Sequence, residues 1–119
     1  MTVNADGNFE FTFKRTPAVI EAFGEKFTLP IRNAELLEKL VVADVNILTA
    51  NSATKKAEAY RNGIAVFIGE EAAEKHFPHD DLKTLDMDRL QAFYEFCANA
   101  VKQKSEELIA AKYSNDDIQ

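Results

Sequence analysis

The chain has 119 residues, of which 46% are hydrophobic, with nine Phe, no Trp and a net charge of −6. This length fits one domain spanning residues 1–119, and no apolar run approaches the roughly 20 residues needed to cross a bilayer, which excludes a membrane-spanning protein. The single cysteine, Cys97, offers no disulfide within the chain, and the N-terminus lacks the basic and apolar regions of a secretory signal. We therefore expect the protein to act in the cytoplasm.

The negative charge belongs to the C-terminal half. Residues 1–69 hold eight acids and eight bases, whereas residues 70–119 hold twelve acids and six bases. Nucleic-acid binding usually needs a basic patch that neutralises phosphates, and the short basic clusters here are Lys14-Arg15 and Lys55-Lys56. We expect no nucleic-acid partner.

The N-terminal third has the patterns of short strands. Residues 1–8 are polar and are expected to be disordered. Residues 9–13 alternate aromatic with polar side chains, which is typical of a strand with one covered face. Residues 19–23 and 27–31 then flank a loop at 24–26, which predicts a hairpin. We predict a small N-terminal antiparallel sheet that packs beside helices.

Asn33 is placed to cap a first helix that begins at Ala34. We predict that one side of this helix packs, lined by Leu37, Leu40, Val41 and Leu48. Asp44 falls in the middle of that side. It is either a rim or hydrogen-bonded structural carboxylate, or a buried acid with a raised pKa. The β-branched residues of this segment also permit a strand.

A break at 49–52 precedes a second helix, which Ser52 caps. A regular apolar seam follows, formed by Ala53, Ala57, Tyr60, Ile64 and Phe67. Gly63 lies within this seam, so it marks either close packing against a neighbouring helix or the end of a shorter one. Gly69 is expected to end the helix, and a short acidic helix then runs from Glu70 to about residue 77, where Pro78 stops it.

The longest element is an amphipathic helix over residues 86–113, with Asp86 as its cap. Its apolar stripe contains Leu90, Tyr94, Cys97, Val101 and Leu108. Residues 114–119 are polar and are expected to be disordered. The fold class that follows is α+β and predominantly helical, with a small N-terminal antiparallel sheet beside three to five helices.

One cluster contains metal-ligand residue types, namely His76, His79, Asp80 and Asp81. Pro78 interrupts the helical geometry that would place both imidazoles on one side, and no second ligand pair is evident, so we expect a solvated loop. Cys97 lies on a core stripe, where a thiol is inert. We predict no catalytic, cofactor-binding or metal-binding residues; a small enzyme or metal protein built on this cluster is the alternative of a different class.

Phe96 projects away from the apolar stripe of the long helix, on the same side as Arg89 and Gln103. It either contacts a second element of the same fold or anchors a partner chain, because large exposed aromatic side chains often dominate binding energy. We therefore name Phe96, Arg89 and Gln103 as candidate partner-binding residues.

A family resemblance starts in the second helix. The run Ala65-Val66-Phe67-Ile68-Gly69-Glu70-Glu71-Ala72-Ala73 is followed, after a loop, by Leu85-Asp86-Met87-Asp88-Arg89-Leu90 and the long helix. This order resembles the tail assembly chaperones of long-tailed bacteriophages and prophages, particularly those of Gram-positive hosts. The segment Phe23-Gly24-Glu25-Lys26-Phe27 is similar to the β-hairpin with which several of them open.

The resemblance implies a non-enzymatic protein that holds the tape measure protein in solution and helps recruit tail tube subunits before polymerisation. In such families a ribosomal frameshift near the end of the gene often yields a longer second product, for which residues 113–119 would be the junction here. No cofactor is implied. Self-association stays open, and the alternative function is another small protein-interaction module, such as a phage head-tail component or a bacterial adaptor.

Overall fold

A computed structural model describes residues 2–3, 5–11 and 13–118, with side chains at residues 3, 5–11 and 13–109. The elements are β1 (Thr2–Val3), β2 (Phe9–Glu10), β3 (Val19–Ala22), β4 (Glu25–Thr28), α1 (Ala34–Thr49), α2 (Ala53–Ile68), α3 (Glu70–His76), a 3-10 turn (His79–Asp81) and α4 (Met87–Ile118). The predicted class, α+β and mostly helical with a long C-terminal helix, is confirmed.

The strands form two separate antiparallel hairpins, β1 with β2 and β3 with β4. The turn of the second hairpin differs from the prediction, which placed the loop at residues 24–26. Ala22 pairs with Glu25, so the loop is Phe23-Gly24, with φ of 56° and 74°. Two positive φ values in a two-residue loop are those of a type I′ turn, whose twist matches that of the strands. Because Phe is a rare residue at positive φ, the sequence favoured a later loop.

Among its described residues, the segment at 9–13 does not form a strand with a covered face. Its regular part is Phe9–Glu10, and Phe9 and Phe13 are 79% and 41% exposed. An alternating pattern sets which side chains point the same way, but it does not supply the surface that covers them. The predicted disorder of residues 1–8 and 114–119 stays a prediction.

The helix boundaries follow the predicted caps. Asn33 Oδ1 accepts a hydrogen bond from the Leu36 N–H at 2.9 Å, and Ser52 Oγ accepts one from Lys55 at 3.1 Å. Gly69, at φ 90°, separates α2 from α3. Asp86 Oδ1 accepts from the Asp88 N–H at 3.0 Å at the start of α4. The side chains of Asn33, Ser52 and Asp86 each satisfy a backbone donor that a helix start leaves unpaired.

The prediction for the packed side of α1 is wrong. Leu36 and Ala43 are buried, with Leu40 and Ile47 partly buried, whereas Leu37, Val41 and Leu48 face solvent. The helix has two apolar sides, and the side with the small Ala43 approaches α2 closely. That approach is favoured because α2 presents small residues of its own, Ala59 and Gly63.

Helix α2 lies at the centre, packed against α1, α3 and α4. The core joins these helices to the second hairpin. Its buried members are Ile20, Leu29, Leu36, Ala43, Ala57, Tyr60, Ile64, Phe67, Phe77, Leu90, Tyr94, Cys97 and Val101. The predicted stripe of α4 is therefore confirmed at Leu90, Tyr94, Cys97 and Val101. The predicted seam of α2 is confirmed at Ala57, Tyr60, Ile64 and Phe67.

The molecule is elongated. Its Cα radius of gyration is 18.4 Å and its extents are 63 × 32 × 20 Å, whereas a compact domain of this length has a radius of gyration of about 13–14 Å. Within the described residues, no helix is both long and apolar enough to cross a membrane.

Candidate functional site

The main unpartnered surface is the outer side of α1, which we call the α1 face. It consists of five large aliphatic side chains that are 39–83% exposed: Leu37, Val41, Val42, Val45 and Leu48. Single exposed aliphatic residues are ordinary on protein surfaces, but a contiguous set on one helix marks an interaction site.

The α1 face has the spacing of a helix-packing seam. Leu37, Val41, Val45 and Leu48 follow each other at intervals of four, four and three residues, and at 100° per residue they lie roughly 120° around the helix from its packed side. Apolar residues spaced by three and four positions form the seam along which helices pack against each other. The geometry therefore suits a partner helix or another elongated apolar segment.

A groove of about 350 Å³ continues this surface between α1 and α2. Its floor is made of small or apolar side chains and its rim of polar ones: Glu35, Glu38, Lys39, Val42, Ala43, Asn46, Ala59, Asn62, Gly63 and Val66. We call it the α1–α2 groove. Val42 belongs to both the α1 face and the groove, so the two form one surface. Sequence reasoning missed it because it assigned Leu37, Val41 and Leu48 to the core.

The two ends of this surface differ in charge. At the N-terminal end of α1, Glu35 forms an exposed ion pair with Lys39 at 3.0 Å. Glu38, one turn along, has no ion-pair partner among the described residues. Beyond the C-terminal half of α1, Lys55 and Glu58 line the adjoining surface.

A ring cluster joins the second hairpin to α3 and α4. The Phe23 ring stacks on His76 with centroids 4.5 Å apart and lies 5.0 Å from Phe93. The guanidinium of Arg89 lies 4.9 Å from the Phe23 centroid and 4.6 Å from that of Phe77. These contacts hold Phe23 in its unfavourable turn conformation. Arg89, predicted to bind a partner, thus contacts rings of its own chain.

Phe96 lies on the margin of this cluster, and Gln103 lies outside it. Phe96 is 50% exposed and its ring stacks on Phe93 at 6.3 Å. Gln103 lies about two turns further along α4, where it lines a shallow depression with Ala18 and Val19. Phe96 thus contacts its own fold with one side and solvent with the other, and the assignment of both residues to partner binding stays a prediction.

Arg61 is a fully buried arginine in α2 that sequence reasoning did not identify. Its Nε donates to the Phe77 carbonyl at 3.1 Å, and its two terminal nitrogens reach Glu70 at 2.6 Å and Glu74 at 2.8 Å. The signal in the sequence was the pair of acids four residues apart on α3. The arrangement fastens α3 to α2 through charge-assisted hydrogen bonds.

The two histidines of the alternative metal cluster bond to different glutamates. His76 bonds to Glu25 at 2.6 Å, whereas His79 bonds to Glu74 at 2.8 Å. Glu70, Glu74 and His79 do place ligand atoms within 4.8 Å of one another. However, Glu70 Oε1 and Glu74 Oε2 already accept from Arg61, so a cation would have to displace the guanidinium. The arrangement is that of an internal ion pair.

Two of these carboxyl groups have lowered pKa values. For Glu25, hydrogen bonds from His76 and Lys75 lower the pKa below its ordinary value. For Glu74, partial burial raises the pKa, but hydrogen bonds from the side chain and backbone of His79 outweigh that effect and lower it. Both carboxylates are therefore favoured in their charged form.

Asp44 is exposed, and its Oδ1 accepts a hydrogen bond from the Tyr94 hydroxyl at 2.7 Å. Of the two interpretations of Asp44, the hydrogen-bonded structural carboxylate is confirmed. Burial raises the pKa of the Tyr94 hydroxyl, and the bond to Asp44 raises it further. Cys97 is completely buried, and that burial raises its pKa to about 12.

The charged and titratable side chains described above are thus engaged in contacts within the fold or buried in it. The α1 face and the α1–α2 groove, in contrast, are open to solvent. No protein-family model, curated protein or solved structure matches this chain.

Proposed function

We propose that this chain is a non-enzymatic tail assembly chaperone of a long-tailed phage or prophage. It would act in the host cytoplasm by holding an apolar helical segment of the tape measure protein in solution until tail tube subunits assemble. The observation that supports this proposal is the α1 face, because it is apolar, contiguous, helix-spaced and exposed.

The chemistry of the α1 face selects the kind of client. Its side chains are Val and Leu, which offer no hydrogen bonds, and their seam runs along one helix. An amphipathic helix that lays its apolar side along such a seam buries both surfaces at once. The net charge of −6 opposes non-specific clustering of the chaperone itself while this surface is exposed.

The test is co-expression with the tape measure protein encoded beside this gene, scored by the soluble fraction of the tape measure protein. The double variant Val41→Asp/Val45→Asp places two charges in the middle of the α1 face. Asn99→Asp is the matched control, because it adds a charge to an exposed position on α4, outside both the α1 face and the α1–α2 groove.

We expect the wild-type chain to raise soluble tape measure protein, the control to retain that effect, and the double variant to weaken capture at least about tenfold, equivalent to ~1.4 kcal/mol. If the wild-type chain leaves the tape measure protein insoluble, the proposal is wrong. A slippery heptanucleotide near the 3′ end of the gene, followed by an overlapping frame, would support it independently.

A further inference from the structure

We propose that the α1 face and the α1–α2 groove of one copy receive the N-terminal arm of a second copy, in a reciprocal dimer. The arm is defined as residues 5–11 and 13–15. The inference concerns the protein without any client, and it does not depend on the proposed function.

The arm carries exposed aromatic rings, whereas the α1 face is purely aliphatic. Phe9 and Phe13 are 79% and 41% exposed, and they precede the second hairpin on a segment that lies outside the core. Exposed rings on such a segment and an exposed aliphatic surface elsewhere on the same chain are complementary. The elongated shape of the molecule leaves both accessible to another copy.

The lengths of the two surfaces agree. Phe9 and Phe13 are four residues apart, which spans about 13 Å in an extended chain. Leu37 and Val45 are eight residues apart on α1, which corresponds to about 12 Å along the helix axis. In an extended arm, Phe9 and Phe13 can therefore meet the two halves of the α1 face.

Charge sets the direction of the arm. Lys14 and Arg15 directly follow Phe13, and both are exposed. Glu38 lies at the N-terminal end of the α1 face. Placing Phe13 at that end brings the basic pair to Glu38. It also brings Glu10 towards Lys55, which lies beside Glu58 at the opposite end. The arm therefore runs antiparallel to α1.

The exposed apolar area indicates that the partner is a second copy and that the α1 face and the arm are both used. The exposed parts of the five α1 side chains amount to roughly 500 Å², which is less than the ~800 Å² that each partner of a standard stable interface buries. Phe9 and Phe13 add roughly 300 Å², because a large aromatic side chain can bury about 150–250 Å². A reciprocal pair of arm contacts therefore reaches the standard size, and the α1 face alone does not.

The first experiment measures the mass of the full chain by light scattering after gel filtration, with far-UV circular dichroism to confirm the fold of each variant. We expect a dimer for the wild-type chain. We expect monomers for Phe9→Asp/Phe13→Asp and for Val41→Asp/Val45→Asp. Asn99→Asp, on α4 and outside both the α1 face and the α1–α2 groove, should remain a dimer.

Each contrary result has a definite meaning. A monomeric wild-type chain overturns the proposal. A dimeric arm variant would show that the α1 faces pair with each other, and a dimeric face variant would show that the arms pair with each other. Either result also overturns it.

The second experiment locates the contact by disulfide formation between introduced cysteines, since the native Cys97 is buried. A chain with Lys14→Cys is mixed with a chain with Glu38→Cys and oxidised. We expect the mixed disulfide to form at least about tenfold faster than either homodimeric disulfide. In a single chain with both substitutions, a covalent dimer supports a second copy as the occupant, and a cross-link closed within the monomer refutes it.

Discussion

Tyr94 packs its ring directly against the backbone of Gly63. A β-carbon added at Gly63 would lie 2.6 Å from Cε1 of the Tyr94 ring. The ring cannot easily move away, because Tyr94 is only 6% exposed and its hydroxyl is bonded to Asp44. Of the two interpretations of Gly63, close packing against a neighbouring helix is therefore confirmed.

Gly63→Ala should destabilise the protein by about 1 kcal/mol, and by at most about 2 kcal/mol. Alanine gains up to about 1 kcal/mol in helix propensity, but overpacking against a held ring costs about 1–3 kcal/mol. Urea unfolding monitored by circular dichroism measures the difference. Lys56→Ala on the exposed side of α2 is the control and should stay within about 0.5 kcal/mol of the wild type. A more stable Gly63→Ala variant would show that the Tyr94 ring yields.

Arg61→Lys should cost about 2–3 kcal/mol although it conserves the charge. Lysine has one nitrogen and cannot reach the Phe77 carbonyl, Glu70 and Glu74 together. The control is Lys39→Ala, which removes an exposed ion pair worth about 0.3–0.5 kcal/mol. Equal losses in the two variants would mean that the geometry of the guanidinium is unimportant.

The contacts that attach the second hairpin to α3 should weaken at acidic pH, because Glu25 becomes protonated there. Its pKa is lower in the folded chain than its ordinary value of 4.5, so its contribution to stability is complete above pH 4.5. That contribution is lost as the pH falls below 4.5 through the lowered folded-state pKa. Glu25→Gln should flatten this part of the curve of unfolding free energy against pH. Glu21→Gln, which removes the exposed pair with Lys26 inside the hairpin, should leave it unchanged.

The Cys97 thiol should be inert in the folded protein. With burial raising its pKa to about 12, only about one thiol in 10⁴ is ionised at pH 8, and the site is closed to reagents. We expect Ellman's reagent to react at least about a hundredfold more slowly in buffer than in denaturing urea. Lys102→Cys, outside the proposed contact between copies, provides an exposed thiol for comparison, which should react at once under both conditions. Rapid labelling of folded Cys97 would contradict its burial.

Phe96→Asp should leave the fold intact and weaken partner capture. The ring is half exposed and stacks on Phe93 on one side only, so its removal should cost about 1 kcal/mol or less. Phe93→Ala should cost clearly more, since Phe93 also contacts Phe23 and Phe77. Thermal unfolding and the tape measure co-expression assay give the two readouts. An unfolded Phe96→Asp variant would assign the residue to the core.

Sequence reasoning was most successful where structure depends on neighbours along the chain. The helix starts at Asn33 and Ser52 and the break at Gly69 follow from local hydrogen bonds and backbone preference. The stripe of α4 also follows from periodicity, because one side of that helix is distinctly more apolar. Such features predicted the fold class and most helix boundaries, but no functional site.

What the tertiary structure decided was the choice between surfaces that are locally equivalent. Helix α1 has two apolar sides, and only the presence of α2 determines that Ala43 is buried and Val41 exposed. Likewise, Phe23 can occupy a turn at positive φ because rings and a guanidinium from distant elements hold it there. The residues alone set periodicity and caps, since those are short-range. Which surface is covered and which stays open is set by partners distant in sequence, and the candidate site is a surface of that kind.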